Sequence, residues 1–393
     1  MNKFLLFLVV LVISCSGNDD NSTVIVNPPD GNDDNLPIVS QIDVPEGFVV
    51  EAFASNLNLP TNIAFPPDGS NRLFVNELQS GQVKIIENGT LLSTPFADLE
   101  TMVTGGFPVD GENGLIGLAF DPNYEINKWV YFTLAVRTPN GTVGRVLRMR
   151  DQNNRAQDIE ILIDNLPSAN GHQIESIAFG PDEKLYVSIG DAFEDAKAQD
   201  LNAFHGKILR MNTDGSIPSD NPDPNSFVWA SGLRNSFGLA FNENGQLFAT
   251  ENGPNEKDEL NLIEKGGNYG WPFALGNVSN PEFNNPIHVW ENIVAPTALH
   301  FYTGNQFPQK YRNQMFVVLF GRTASQGPDP ISKRIQLLTT LGTGEQLVVS
   351  LEDFAVYRFP GGGNPIGIAQ GPEGSLYLSD IFQGKIFRIR FQS

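Results

Sequence analysis

The sequence predicts an all-β chain folded as a six-bladed β-propeller, and three observations point there. The first is composition. The 393 residues include 38 Gly and 27 Pro, with 40% hydrophobic and 18% charged residues, which suits short strands joined by tight turns around a sizeable core. The second is a recurring hairpin plan: an alternating apolar run, a Pro/Asp/Gly/Asn turn, then a second apolar or aromatic run. The third is the period of that plan, about 60 residues, the length of a four-stranded sheet repeated radially. A β-sandwich would turn about every 8–12 residues without this longer period.

The elements follow in order. Lys3 and the apolar run Phe4 to Ile13 read as a secretory signal over residues 1–14. Such a run rises only about 15 Å as a helix, half of a bilayer core, so it is not a span. The run Val12-Ile13-Ser14-Cys15 resembles a bacterial lipobox. That implies cleavage before Cys15, acylation of its sulfur, and residence in the cell envelope as an outer-membrane lipoprotein facing the periplasm or the cell surface. Residues 15–43 hold Asp19, Asp20, Asp30, Asp33 and Asp34 without Lys or Arg, and are expected to form a flexible acidic tether. The propeller is expected over residues 44–393, with no second domain.

Five hairpins repeat the plan: Asn62 to Val75, Ile116 to Phe132, Ser176 to Gly190, Phe237 to Glu251 and Ile366 to Asp380. A sixth, weaker copy with a longer connection runs from Thr297 to Gly321. Phe65, Phe120, Phe179, Phe241 and Phe301 mark equivalent places, and Gln370 takes the sixth. Several copies are followed by a third strand ending in a basic residue, at Arg148, Arg210 and Arg388.

Charge excludes some functions. With 45 acidic against 25 basic residues the net charge is -20, which argues against a nucleic-acid partner. One cysteine, Cys15, rules out a disulfide scaffold and a cysteine zinc cluster. No other apolar stretch is long enough to cross a bilayer, so membrane contact is expected only through the lipid anchor.

In a propeller, function resides in loops at one end of the channel. Three stretches are rich in convergent polar groups: one around Glu112, one from Gly171 to Pro222 with His172, Asp191 and His205, and one from Gly232 to Pro272. The last contains Arg234, Asn235 and the string ENGPNEKDELNLIEKGGNYGWP. At these residues the chain resembles the soluble quinoprotein sugar dehydrogenases of the glucose/sorbosone dehydrogenase family, over roughly residues 44–393.

The resemblance implies pyrroloquinoline quinone and Ca2+ as cofactors, and oxidation of an aldose sugar to its lactone by hydride transfer. It makes His172, placed before Gly180, the general base, a task suited to imidazole near neutral pH. Asp191 matches the carboxylate that orients that histidine. Arg234 and Asn235 match the pair that contacts the quinone, Arg234 stabilising charge that develops on it. Glu112, Asn252 and Asp258 match further groups lining the cofactor pocket, although Glu112 and Asn252 stand where the best-known members have Gln. The carbonyls of Gly253 and Pro254 match ligands of a catalytic calcium, a Lewis acid at the quinone carbonyl. Glu259 and the carbonyl of Tyr269 match a second, structural calcium site.

The chain also departs from the family. Gln173, Ile174, Glu175 and Ser176 follow the histidine in place of small or basic residues. Asn364 and Ile366 stand where some members offer two arginines to the quinone's carboxylates, and Arg322 is the candidate for a compensating charge. With no Cys-x-x-Cys-His haem motif, electrons are expected to leave to an external acceptor. Two other readings stay open: a calcium-dependent lactonase-type hydrolase, and a non-catalytic carbohydrate- or protein-binding propeller.

Overall fold

Six antiparallel sheets stand in a ring in the computed structural model, which describes residues 36–392 apart from 104–105, 109–110, 323–332, 342–347 and 360–361. The architecture is the expected six-bladed β-propeller. The innermost strands are Pro60–Ala64, Leu115–Phe120, Ile174–Phe179, Leu239–Phe241, Pro296–Phe301 and Pro365–Gln370, one for each of blades one to six. Each packs against the inner strands of both neighbours and so lines a central channel.

Closure comes from the N-terminal side. Phe48–Ala54 pairs with Lys385–Phe391 and completes blade six, with the buried Glu51 carboxylate accepting from Arg388 and Arg390 at 2.7 Å each. Ile42–Asp43 adds a further edge strand to blade five, opposite Val356 and Tyr357. The expected tether therefore ends too late at residue 43. Val39 donates to the Val50 carbonyl and Ala52 to that of Pro37, both at 2.9 Å, and Ile42 is buried. Apolar Ile38, Val39 and Ile42 supply what the acidic stretch before them lacks. The signal segment, Cys15 and the earlier part of the tether lie outside the described residues.

The hairpin turns show why the plan recurs. Their tips need a positive φ, supplied by Gly69, Gly245 and Gly374, while at the third blade Glu183 adopts φ 58° in the same role. The repeat phenylalanines have a common use. Each lies at the end of an inner strand, Phe65 just past it, and meets an aromatic ring on the second strand of the preceding blade: Phe65 with Tyr377, Phe120 with Phe74, Phe179 with Tyr131, Phe241 with Tyr186 and Phe301 with Phe248. Centroids lie 4.9 to 5.3 Å apart, edge-on in four pairs and tilted in the last. Such pairs add about 0.5–1.5 kcal/mol each beyond their buried area. At the sixth seam Gln370 instead accepts from the Thr303 and Gly304 amides.

One irregularity prepares the site. Five of the six inner strands shift register near their first residues, between Pro60 and Ile63, Leu115 and Leu118, Ile174 and Ile177, Pro296 and Ala298, and Pro365 and Gly367. A bulge turns a side chain off the regular alternation. Thr61, Ile116, Thr297 and Ile366, all within these shifts, border the cavity at that end of the channel.

Candidate active site

The cavity has a volume of about 130 Å³, and its wall includes Glu112, His172, Arg234, Asn235, Asn252, Gly253 and Asp258. Three separate stretches of sequence thus converge. Thr61, Ile116, Phe237, Thr297 and Ile366 form its floor and border a second space of about 240 Å³ further along the channel.

His172 occupies an unusual backbone position, with φ 51°. A left-handed conformation at a non-glycine residue costs of the order of 1–2 kcal/mol and persists only where the surroundings impose it. Here they do. Ala192 donates to the His172 carbonyl at 3.0 Å, and Glu112 Oε2 accepts the His172 N–H at 3.1 Å. Gly190 lies so close that a Cβ there would come within 2.4 Å of the His172 oxygen, so glycine is required.

The imidazole is fixed by its neighbours. Nδ1 lies 2.7 Å from Asp191 Oδ1. Burial raises the Asp191 pKa, but the hydrogen bond from His172 and the charges of His172 and Arg234 outweigh it and hold the carboxyl below its ordinary value. An ionised carboxylate only accepts, so Nδ1 carries the hydrogen and Nε2 of the neutral ring presents a lone pair. Phe193 covers the ring at a centroid distance of 4.3 Å and donates its own N–H to Asp191 Oδ1. Trp271 Nε1 donates to Asp191 Oδ2 at 2.9 Å.

Arg234 reaches its place through Glu251. The Glu251 carboxylate accepts the Arg234 and Asn235 N–H groups at 2.7 and 2.5 Å and the Ser236 hydroxyl at 2.6 Å. Burial pushes this carboxyl up to about 8 against those three donors. The Arg234 guanidinium lies over the Trp271 ring and donates to the Asn252 and Gly253 carbonyls at 2.7 and 3.0 Å. The Gly253 carbonyl expected as a calcium ligand is thus shared with Arg234. Asp258 lines the wall but spends its oxygens on backbone, accepting from Gly253, Val294 and Ala295. Asn252 donates to the Asn235 carbonyl at 3.2 Å, and Asn235 Oδ1 is buried without a partner.

Other expected residues fall elsewhere. Asp191 stands behind His172. Glu259 and Tyr269 border a separate space of about 10 Å³, next to Arg234, Glu251, Gly253 and Trp271. That is about the room one water or ion requires. Pro254 and Arg322 are not among the lining residues, although Gly321 beside Arg322 is. His205 faces Glu194 at 3.3 Å and is not among the residues lining the cavity. Ile366 and Asn364 are both buried, but Ile366 borders the cavity whereas Asn364 does not and donates to the Phe320 carbonyl, so the two departures from the family are not equivalent. Among the described residues no cluster of three or more His, Cys, Asp or Glu is placed to hold a metal ion, and no helix is long and apolar enough to cross a membrane.

Residues 57–323 match the model of the glucose/sorbosone dehydrogenase family. The chain belongs to that family. It is 35% identical over 263 residues to quinoprotein glucose dehydrogenase B of Acinetobacter calcoaceticus, a match covering 59% of this chain and 54% of that protein's length. It superposes on the structure of the PQQ-bound form of aldose sugar dehydrogenase from Streptomyces coelicolor with a TM-score of 0.72 and 26% identity, over 88% of this chain and 99% of that one. It is also 32% identical over 212 residues to mouse Hedgehog-interacting protein, across 47% of this chain and 30% of that protein. The family therefore joins proteins named as sugar dehydrogenases to one named for an interaction.

Glu251, Trp271 and Phe193 escaped the reading of the sequence. Glu251 opens the string that carries the family likeness and Trp271 is its last residue but one, the one signal available. Phe193 had none.

Proposed function

We propose that this family member oxidises an aldose sugar to its lactone, using pyrroloquinoline quinone and calcium, with His172 as general base. The observation that carries the reading is the His172–Asp191 pair, with His172 on the cavity wall, its Nδ1 tied down by Asp191 behind it and its Nε2 left to accept a proton. The residues present fit the reactive end of such a quinone. Arg234 offers a cation, Asn235 Oδ1 is buried without a partner, and Phe320, Phe382 and Ile366 offer apolar surface to a flat ring system. The Gly253 and Pro254 carbonyls are the proposed catalytic calcium ligands, and Glu259 with the Tyr269 carbonyl is the second site. Bound there, the quinone and its calcium would supply a polarised two-electron acceptor for hydride from the anomeric carbon.

The chain's own groups do the rest. His172 Nε2 takes the proton of the anomeric hydroxyl. Asp191, braced by Trp271 and by the Phe193 N–H, stabilises the imidazolium that results. Arg234 holds positive charge at the cavity wall, braced by Glu251, where negative charge develops. The apolar floor limits water. Electrons then pass to an external acceptor, and Cys15 would anchor the protein in the cell envelope.

Reconstituting the apo-protein with quinone and calcium, then screening aldoses with an artificial electron acceptor, tests the reading. Sugar-dependent reduction of the acceptor is the expected result. Lactone hydrolysis with calcium alone would favour a lactonase. Absence of both activities would favour a binding module, which the single described guanidinium on an otherwise acidic wall also supports.

A further inference from the structure

Lys207 opens the third strand of blade three, Lys207–Met211, and is fully buried, yet the chemistry proposed above makes no use of it. Burial lowers its pKa from 10.5 to about 8, against the charge of Asp200, so at neutral pH it is an ammonium with three N–H donors. All three go to backbone carbonyls, that of Lys197 at 3.1 Å and those of Ala198 and His205 at 2.7 Å each. None is spent on a carboxylate. What the charge gathers is the loop that carries Asp191 and Phe193: Lys197 and Ala198 lie in its short 3-10 helix, Asp195–Gln199, and His205 near its end. The last residue of that helix, Gln199, interlocks its side-chain amide with that of Asn268, each donating to the other's oxygen, at 3.0 and 2.8 Å. Gln199 Nε2 also donates to the Trp271 carbonyl at 2.7 Å. The Ala198 carbonyl accepts from Gly232, whose own carbonyl accepts the Trp271 N–H at 2.9 Å. Both backbone polar groups of Trp271 are therefore tied to Ala198-Gln199. The Trp271 indole in turn donates to Asp191 Oδ2 and lies beneath the Arg234 guanidinium.

We propose that Lys207 is a positioning residue for the His172–Asp191 pair, acting through Gln199 and Trp271. The ammonium sets the 3-10 helix, the helix sets Trp271, and the indole keeps Asp191 turned towards His172. Without the ammonium the His205 carbonyl loses this partner, and the Lys197 and Ala198 carbonyls keep only the N–H groups of Asp200 and Gly232, so the helix is free to drift. A misplacement of about 1 Å that starts far from the chemistry can cost roughly 10²-fold in rate. The consequence for turnover rests on the proposed function; the setting of the imidazole does not.

Two measurements test this on the full chain, and the first needs no cofactor. The protein has four histidines, so nuclear magnetic resonance of protein with isotope-labelled imidazole nitrogens resolves few rings, and His172→Ala identifies the His172 signals. In wild type the neutral His172 ring should carry its hydrogen on Nδ1. Lys207→Met keeps the stem and removes the ammonium, whereas Gln199→Leu keeps the ammonium and cuts the link to Trp271. Both should show a mixture of the two tautomers. Phe248→Ala, destabilised at a blade seam, should keep the wild-type tautomer. The second measurement is turnover of the reconstituted enzyme, in which Lys207→Met and Gln199→Leu should lower kcat about ten- to hundredfold with KM little changed. A wild-type tautomer in both variants, with only the melting temperature lowered, overturns the proposal and leaves Lys207 a structural residue. Mixing in only one of the two, when both fold, overturns the route through Gln199. If Lys207→Met does not fold, Gln199→Leu decides alone, and an unchanged tautomer there sinks the relay. If the tautomers mix as expected while wild type turns over no sugar, the quinoprotein reading fails and the positioning stands.

Discussion

Five seams between blades repeat one aromatic contact, while the cavity wall repeats nothing. At the seams a phenylalanine meets a ring of the preceding blade at nearly constant distance, and neither partner need carry charge. At the cavity, His172 is held in a left-handed conformation, Asp191 keeps its charge while largely enclosed, and Glu251 is buried with its carboxyl pushed up to about 8. The contrast teaches where strain and desolvation are tolerated. A rigid apolar frame absorbs their cost at one end of the channel. Stability and chemistry should therefore separate under mutation.

The sharpest separation is expected at His172. His172→Ala should lower kcat by roughly 10²–10⁴, the usual worth of a general base, while quinone binding and the melting temperature change little. Turnover at the wild-type rate would remove His172 from the chemistry. The opposite case is Phe248→Ala, at the seam with Phe301. Phe248 is fully buried, so its truncation should cost about 3–5 kcal/mol. The expected signature is a lower denaturant midpoint at unchanged m-value, with quinone affinity retained. A large loss of affinity would mean that seam and cavity are coupled.

Calcium comes next. If it binds only the folded chain, a free concentration one-hundredfold above Kd should add about 2.7 kcal/mol of stability. Thermal melts with and without chelator measure this, and identical curves would count against both proposed calcium positions. A smaller change is expected from Ile366→Arg. Ile366 faces the cavity, so a guanidinium there should gain one charged hydrogen bond to a quinone carboxylate, about 1.5–3 kcal/mol, or ten- to hundredfold in affinity. Asn364→Arg should not help, because Asn364 does not line the cavity and its amide holds the Phe320 carbonyl. Calorimetry in excess calcium distinguishes the two variants.

These contrasts also show what could be read from the sequence. The seams were legible because a radial repeat places its phenylalanines at a regular interval, and a period is a property of sequence. His172, Asp191 and Arg234 were legible through likeness to a family. Glu251 was not, because its partners, the Arg234 and Asn235 N–H groups, lie 17 and 16 residues away in sequence and meet it only in the folded blade. Residues 37–43 were misassigned because their acidic neighbours dominate the composition, whereas edge pairing needs only a few apolar residues. Asn364 and Ile366 were treated alike because positions two residues apart in sequence do not show that only one of them lines the cavity.

The sixth seam belongs to neither class, and it supplies the smallest predicted effect. Gln370 replaces the repeat phenylalanine there and is hydrogen-bonded to His300 on the inner strand of blade five. His300 Nε2 has no partner, and burial pushes its pKa from 6.5 down to about 4, the Gln370 contact opposing the shift only in part. The sign follows directly. Between about pH 6.5 and pH 4 the unfolded chain binds this proton and the folded chain does not, so stability falls as the solution is acidified through that window. A shift of this size is worth about 3 kcal/mol in full, but one edge of His300 borders the channel, so about 1–2 kcal/mol is expected. His300→Gln should remove that share of the acid sensitivity while leaving stability near pH 8 almost unchanged. The check is denaturant unfolding of wild type and variant at several pH values across the window. Parallel losses in the two proteins would place the acid lability elsewhere, and the polar seam would then be as indifferent to pH as the five aromatic ones.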